Sequence, residues 1–163
     1  MKLGLLSDSH DHHQHLEMAM ALFRERGVDH LLHAGDYVNP GSVRLMQGFK
    51  VSGVLGNNDG DLLQLAKAYD SIKGELMGEF GTLTLMEKQI ALYHGTQKGL
   101  KEALIASSTY DILVFGHTHQ VDNRQVGRSL VLNPGTVHGF YKMASIMILD
   151  LTTLGVEVVQ IAP

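Results

Sequence analysis

The chain has 163 residues, of which 44% are hydrophobic and 18% charged, and these values are typical of a single globular domain, expected over residues 1–163, that buries a substantial core. A net charge of −4 argues against sequence-independent binding to nucleic acid, and the absence of cysteine excludes disulfides and thiol catalysis. Because no signal peptide is recognisable and no apolar segment approaches the length of a membrane span, we expect a soluble cytoplasmic protein with no membrane partner.

The first half of the chain alternates between predicted strands and helices. Short apolar runs predict strands over residues 3–6, 30–34 and 51–55. A stripe of apolar residues predicts a helix over residues 12–26, which Gly27 closes; the stripe is Leu16, Ala19, Met20 and Phe23. A short helix or loop is expected over 41–49 and a second helix over 61–69.

The second half is richer in strands. Strands are predicted over 82–86 and 89–93, followed by a helix around Leu100 and Leu104 and a strand over 111–115. From Gln120 onward the pattern is mostly strand and turn, with strands over 121–126, 129–132, 144–150 and 156–161. The chain is therefore predicted to be α/β, with a C-terminal third that is nearly all β.

Five of the predicted strands end abruptly in Asp, Asn or His, usually beside glycine. These ends are Ser7–His10, Gly35–Asp36, Gly56–Asp59, His94–Gly95 and Gly116–His119. In open α/β sheets, ligands bind at the carboxyl ends of strands, where loops from several strands converge. Residues that are far apart in the sequence should therefore meet in space.

The side chains at these ends are oxygen and imidazole donors, which suit Mn, Fe, Co, Ni or Zn better than Ca or Mg. In extended backbone, donors two residues apart lie on the same side, as in Asp8 with His10 and His117 with His119. Asp36 is the natural bridging ligand, because its carboxylate has two oxygens. A lone histidine or Gly-Asp pair is more often an ordinary surface or turn feature, but five such motifs together favour a metal site.

The order D-x-H, G-D, G-N-x-D, H-G and G-H-T-H resembles the calcineurin-like metallophosphoesterases. The compact length and the segment Asn133–Thr136 look like the small prokaryotic phosphodiesterase branch of that family, and the resemblance covers roughly residues 1–136. It implies a four-layer α/β/β/α sandwich of two facing sheets flanked by helices.

The resemblance also implies a site for two divalent metal ions that share Asp36. One ion would be held by Asp8, His10, Asp36 and His119. The other would be held by Asp36, Asn57, His94 and His117. Manganese is the favoured ion, with iron, nickel, cobalt or zinc as alternatives.

Four histidines crowd the N-terminal stretch SDSHDHHQH, and only His10 occupies a ligand position. His12 is a candidate substrate contact because it lies near the mouth of the expected site. His138 could also face the substrate, although a surface position is favoured for it. His13 and His15 are expected to be solvated.

By resemblance, the chain would hydrolyse phosphate esters through in-line attack of a hydroxide that bridges the two metals. The common family motif is G-N-H-D, whose histidine can protonate the leaving group, and here that position is Asn58. The amide of Asn58 could instead donate an N–H to a phosphoryl oxygen. Asp59 is expected to orient the asparagine-bearing loop. Asn58 and Asp59 are thus the expected catalytic-loop residues.

The favoured interpretation is that the chain is a phosphodiesterase that acts on a small phosphate ester. A phosphomonoesterase or nucleotidase on the same core is an alternative. A second alternative is a non-catalytic scaffold, because the family includes a retromer subunit with an eroded metal site; the intact ligand set favours an enzyme. Exposed apolar edges in the β-rich C-terminal third would suit a homo-oligomer.

Overall fold

The strands and helices follow the hydrophobic periodicity of the sequence. The computed structural model describes residues 1–140 and 143–161. Its strands are β1 (Lys2–Leu6), β2 (His30–His33), β3 (Lys50–Gly53), β4 (Glu75–Leu76), β5 (Phe80–Leu85), β6 (Lys88–Tyr93), β7 (Ile112–Val114), β8 (Val121–Val126), β9 (Ser129–Pro134), β10 (Ala144–Asp150) and β11 (Val156–Ile161). Its helices are α1 (His13–Glu25), α2 (Pro40–Arg44), α3 (Leu62–Ser71) and α4 (Lys98–Ser107). Among the described residues, no helix combines the length and apolarity needed to cross a bilayer.

The strands form two mixed sheets. The first sheet has six strands in the order β11-β10-β1-β2-β3-β4. Strands β1 to β4 are parallel, β10 is antiparallel to β1, and β11 is antiparallel to β10. The second sheet has five strands in the order β5-β6-β7-β9-β8. Its three central strands are parallel, and both edge strands are antiparallel to their neighbours. The parallel strands of each sheet therefore bring several carboxyl ends to a common edge.

The buried side chains separate into three apolar layers. Leu5 and Leu32 of the first sheet pack with Ile112 and Leu132 of the second, and they form the core between the sheets. The outer face of the first sheet is covered by α1, α2 and α3. The buried stripe of α1 is the predicted one, Leu16, Ala19, Met20 and Phe23. Helix α4 covers the second sheet, so the predicted α/β/β/α sandwich is confirmed.

Two predicted elements differ from the structure, and one strand of the structure was not predicted. The strand expected over 51–55 leaves β2 after Val54, because Leu55 N donates to Gly78 O at 2.7 Å. The two-residue strand β4 was not predicted, since it is too short to carry a periodic signal. The helix or loop expected over 41–49 contains only the short helix α2, which begins at Pro40.

Two histidines for which no ligand role was expected are buried in the first sheet. His30 Nε2 lies 3.0 Å from Ser52 Oγ, and burial lowers the pKa of His30 to about 4. His33 Nδ1 accepts a hydrogen bond from Gly35 N at 3.1 Å, and burial lowers the pKa of His33 to about 3. Both rings are therefore neutral near pH 7 and act in the packing of β2.

Candidate metal centre

The predicted site residues follow strands whose carboxyl ends lie side by side. The loops after these strands are joined by backbone hydrogen bonds. Asp8 N donates to Gly35 O at 3.0 Å, and Gly116 N donates to His94 O at 2.9 Å. A further bond joins His138 N to Asp8 O at 3.1 Å. Loops from both sheets are therefore fixed around one region.

Several predicted ligands have left-handed backbone, which side chains other than glycine rarely adopt. The residues and φ angles are Asp8 (53°), His10 (40°), Asp36 (61°), His117 (67°) and His119 (55°). Each such residue costs about 1–2 kcal/mol relative to ordinary backbone. Strain concentrated at one place, and held by the surrounding fold, is typical of a functional site.

The carboxylate of Asp8 has one fixed oxygen and one unpaired oxygen. Oδ2 accepts hydrogen bonds from Ser7 Oγ at 2.6 Å and from His117 N at 3.0 Å. Oδ1 is buried and has no hydrogen-bond partner among the described residues. Three imidazole Nε2 atoms surround Asp8 Oδ1, those of His119 at 3.1 Å, His10 at 3.9 Å and His94 at 3.9 Å.

Asp36 lies between two of these histidines. Its Oδ2 is 3.4 Å from His10 Nε2 and 3.3 Å from His94 Nε2. Asn58 donates to Asp36 twice, from its backbone N to Oδ1 at 2.9 Å and from Nδ2 to Oδ2 at 2.8 Å. Burial alone would raise the pKa of Asp36, but the contacts with His94 and Asn58 outweigh it and hold that pKa well below its usual range. Asp36 is therefore an ionised carboxylate.

The tautomer of His94 follows from its environment. Nδ1 lies 2.7 Å from Ala34 O, and a carbonyl oxygen can only accept, so Nδ1 carries the proton. In the neutral ring, Nε2 then has a free lone pair. Nε2 is buried and, like Asp8 Oδ1 and His10 Nε2, has no hydrogen-bond partner in the described part of the chain. A backbone carbonyl that fixes the far nitrogen is the usual arrangement of a metal-binding histidine.

The described residues form two groups of potential ligand atoms, and the atoms of each group all lie within 4.8 Å of one another. The first triad is Asp8, His10 and His119, and the second is Asp8, Asp36 and His94. A buried polar atom without a partner costs about 1–3 kcal/mol, so three of them at one place are costly unless a ligand binds there. Carboxylate and imidazole donors fit a divalent transition metal at each triad. Asp8 belongs to both triads, whereas the resemblance implied that Asp36 would bind both ions. Asp36 nevertheless lies close to His10 of the first triad and His94 of the second.

The remaining two predicted ligands border the triads. The ring centroid of His117 lies 5.2 Å from that of His94, but its nitrogens belong to neither triad. The Asn57 side chain is exposed, and its Oδ1 accepts a hydrogen bond from Thr96 Oγ1 at 3.5 Å. The structure thus brings five of the seven predicted ligands into contact and leaves Asn57 and His117 beside them.

Asp59 joins two of the loops that carry ligands. It is 8% exposed and accepts three backbone hydrogen bonds, from Asp36 N at 2.9 Å, Val38 N at 2.8 Å and Gly56 N at 2.7 Å. The loop after β2 is therefore fixed to the loop after β3. Asn58 uses one of its two amide N–H groups on Asp36, so only the second can reach another acceptor.

Four aromatic side chains, His12, His15, His138 and Phe140, form a rim at the site. Phe140 lies parallel to the His119 ring, at 4.8 Å and 3°, and stacks on His138 at 3.9 Å. His138 contacts His12 edge to face at 5.2 Å. His138 Nδ1 accepts the backbone N–H of Phe140 at 3.0 Å, so the neutral ring presents Nε2–H as a donor. Both predicted substrate contacts, His12 and His138, therefore lie in this aromatic rim.

The expectation that His15 is solvated was wrong. Its Nδ1 lies 2.9 Å from Val137 O, and its ring stacks on His12 at 3.7 Å. Helix α1 packs against the loop after β9, and the sequence pattern of α1 alone could not show this contact. His13 has an exposed side chain, as expected.

Several residues that support the site were not among the predicted ones. Asn133 Nδ2 donates to Gly116 O at 2.8 Å and to Thr118 Oγ1 at 3.1 Å. Thr136 Oγ1 donates to Asp8 O at 2.9 Å. The Asn-Pro-Gly-Thr segment was a signal for these two residues, but no motif pointed to Phe140.

Two clefts open on either side of Thr96. One has a volume of about 330 Å³ and is lined by Asn57, Glu79 and Tyr93 among others. The other has a volume of about 420 Å³ and is lined by His117 and Lys101 among others. The clefts thus begin at the two predicted ligands that border the triads.

Comparison with known proteins gives consistent matches over nearly the whole chain. The model of the calcineurin-like phosphoesterase superfamily domain matches residues 1–154. Phosphodiesterase MJ0936 of Methanocaldococcus jannaschii is 30% identical over 143 residues, which cover 86% of each chain. Phosphodiesterase YfcE of Escherichia coli K12 is 30% identical over 152 residues, or 84% of this chain and 79% of YfcE.

Solved structures have the same architecture. The structure of an archaeal phosphodiesterase superimposes with a TM-score of 0.92 and 27% identity, covering 98% of this chain and 99% of the other. Wild-type Vps29 of Entamoeba histolytica, in complex with Zn²⁺, superimposes with a TM-score of 0.65 and 20% identity, covering 99% of this chain and all of the other. The likeness to Vps29 shows the shared fold alone.

Proposed function

The chain belongs to the calcineurin-like phosphoesterase superfamily, and on that premise we propose that it is a metal-dependent phosphodiesterase of small phosphate esters. The observation that carries the proposal is the pair of triads, in which buried atoms of Asp8, His10 and His94 converge and have no hydrogen-bond partner among the residues that the structure describes. The names of the relatives, which are phosphodiesterases at 30% identity, support the same reaction.

We propose that two divalent ions bind, one at each triad, with manganese favoured. His10 and His119 would hold one ion and His94 and Asp36 the other, while Asp8 would serve both. Bound there, the ions would supply Lewis-acid polarisation of the phosphoryl group and would acidify a water nucleophile. The carboxylates of Asp8 and Asp36 would offset part of the ions' positive charge.

The protein's own residues would position the ester for in-line attack of water on phosphorus. Asn58 fixes Asp36 through two hydrogen bonds, and Asp59 fixes the loops that carry both residues. His138 presents Nε2–H from the aromatic rim, where it can donate to a phosphoryl oxygen. No histidine stands at position 58, so the leaving group departs without a proton from that loop.

The two clefts favour a diester over a monoester. A phosphodiester has two substituents on phosphorus, and one could lie in each cleft beside Thr96. A monoester would fill only one of them. The donor-rich triads also favour an enzyme over a scaffold, because a scaffold has no need of buried atoms left without partners.

Hydrolysis of bis(4-nitrophenyl) phosphate and 4-nitrophenyl phosphate tests the proposal. After chelation and dialysis the protein should be inactive, and Mn²⁺ should restore hydrolysis with kcat/KM about tenfold or more in favour of the diester. Asp36→Ala should abolish the restored activity, while His13→Ala, an exposed histidine outside the triads, should match the wild type. Equal turnover before and after chelation would contradict metal dependence, and a preference for the monoester would favour the phosphomonoesterase.

A further inference from the structure

The cleft beside His117 has a cationic lining on a protein of net charge −4. Among the described residues, its wall contains three cations, Lys98, Lys101 and Arg124, and one carboxylate, that of Glu102. The lining of the opposite cleft, beside Asn57, contains carboxylates and, within the described part of the chain, no cation. The two clefts therefore favour different substituents on the phosphorus.

Within this lining, Lys101 differs from the other two cations. Lys98 lies 3.8 Å from Glu102, and Arg124 lies 3.3 Å from Asp122. No carboxylate among residues 1–140 and 143–161 lies within 4 Å of the Lys101 ammonium, which stands 4.9 Å above the Phe115 ring. Burial lowers the pKa of Lys101, and the charge of Asp122 opposes this only in part. An anion in the cleft would therefore stabilise the charged lysine.

The side chain of Lys101 lies close to the loop that carries His94. Its Cδ lies 3.8 Å from where a side-chain Cβ at Gly95 would stand, so the lysine stem runs past the residue after His94. His117 lines the same cleft. A substrate whose phosphorus lies at the triads would thus extend one substituent toward the ammonium of Lys101.

We propose that Lys101, with Arg124, binds a second phosphate group on one substituent of the substrate. This rests on the proposed phosphodiesterase function and names its substrate class, a phosphodiester that carries a further phosphate. Lysine offers three N–H donors and arginine a planar pair, and both geometries suit phosphate oxygens. The second phosphate would be recognised in the cleft and would not itself be cleaved.

A matched pair of substrates isolates the second phosphate. Thymidine 5′-(4-nitrophenyl phosphate) and its 3′-phosphorylated form release the same nitrophenolate from the same diester. The wild type should have a KM about tenfold lower for the 3′-phosphorylated form, since one charge-assisted contact is worth roughly that factor. Lys101→Gln should remove this preference, because it should raise KM about tenfold for the 3′-phosphorylated form and far less for the other ester.

Two further variants separate charge from structure. Lys101→Arg keeps the charge and should retain most of the preference. Lys67→Gln removes an exposed lysine from α3, in the outer layer on the other side of the molecule, and should behave as the wild type. The proposal would be overturned if Lys101→Gln kept the preference for the 3′-phosphorylated ester. It would also be overturned if this variant raised KM equally for both esters.

Binding gives a measurement that does not depend on turnover. In calorimetric titrations of the Mn²⁺-loaded protein, thymidine 3′,5′-bisphosphate should bind about tenfold more tightly than thymidine 5′-monophosphate, and Lys101→Gln should abolish the difference. Absence of hydrolysis of either ester with any metal would defeat the phosphodiesterase function, whereas equal binding of the two nucleotides would defeat the phosphate subsite.

Discussion

Replacing Asp59 with asparagine should destabilise the loops that carry the ligands, because this carboxylate accepts three backbone hydrogen bonds. Oδ2 accepts from Asp36 N and Gly56 N, and Oδ1 accepts from Val38 N. An asparagine oxygen can take over two of these bonds, but its amide nitrogen then faces the third N–H. The loss of one charge-assisted bond, worth about 1.5–3 kcal/mol, and the weakening of two more predict a cost of about 3 kcal/mol.

Urea unfolding of the metal-free protein at pH 7, followed by circular dichroism, measures this cost without a contribution from bound metal. For a chain of this length, about 3 kcal/mol corresponds to a fall in Tm of roughly 6–12 °C. Asp61→Asn is the matched control, because Asp61 caps α3 through one bond to Gln64 N at 3.1 Å and asparagine caps equally well. If Asp59→Asn costs no more than Asp61→Asn, the three bonds do not hold the loops as argued.

Further predictions concern the backbone, the pH dependence and the leaving group. Gly56→Ala should abolish metal binding, because a Cβ there would collide with the Asp36 carboxylate and lie 2.6 Å from its N, whereas Gly60→Ala meets nothing within 4 Å and should bind metal normally. Burial lowers the pKa of His30 to about 4, so this residue should not change the free energy of unfolding above pH 6.5 but should reduce it by about 1.4 kcal/mol per pH unit as the pH falls from 6.5 to about 4. Urea unfolding of wild type and His30→Gln at pH 7 and pH 5 measures this reduction. If both proteins lose the same free energy of unfolding between the two pH values, His30 is not its source. Because Asn58 cannot protonate a leaving group, kcat for aryl and alkyl diesters should fall steeply with leaving-group basicity, and Asn58→His should flatten that dependence; a shallow wild-type slope would instead point to His138 as the acid.

Apolar patterns in the sequence were sufficient to predict most strands and helices, whereas the four-layer sandwich was implied by the resemblance to the family. The stripe of α1 identifies the helix and its buried side, and the continuous apolar runs of β1, β2, β6 and β7 identify strands that are buried on both faces over most of their length. Elements without such a pattern were predicted poorly. Strand β4 has two residues, and α2 is defined by Pro40 and the Asn39 cap rather than by an apolar stripe.

The same contrast holds for the site. The residues of the triads lie in the short segments that follow buried strands, so the predicted ends of those strands identified them. The partners of these residues depend on contacts between distant loops. Asn58 binding to Asp36, His15 binding to Val137 O and Phe140 lying over His119 all arise from packing of segments that no local pattern relates. Lys101 likewise looks like an ordinary surface residue of an amphipathic helix until the cleft beside His117 is seen.

The number of metal ions bound per chain tests the central claim most directly. Mn²⁺ titration followed by electron paramagnetic resonance of the free ion should give two ions per chain for the wild type and for His13→Ala. His119→Ala and His94→Ala each remove a ligand from one triad and should leave one ion per chain with little diester hydrolysis. A wild type that is fully active with one ion or none, or two ions retained in both triad variants, would contradict the account.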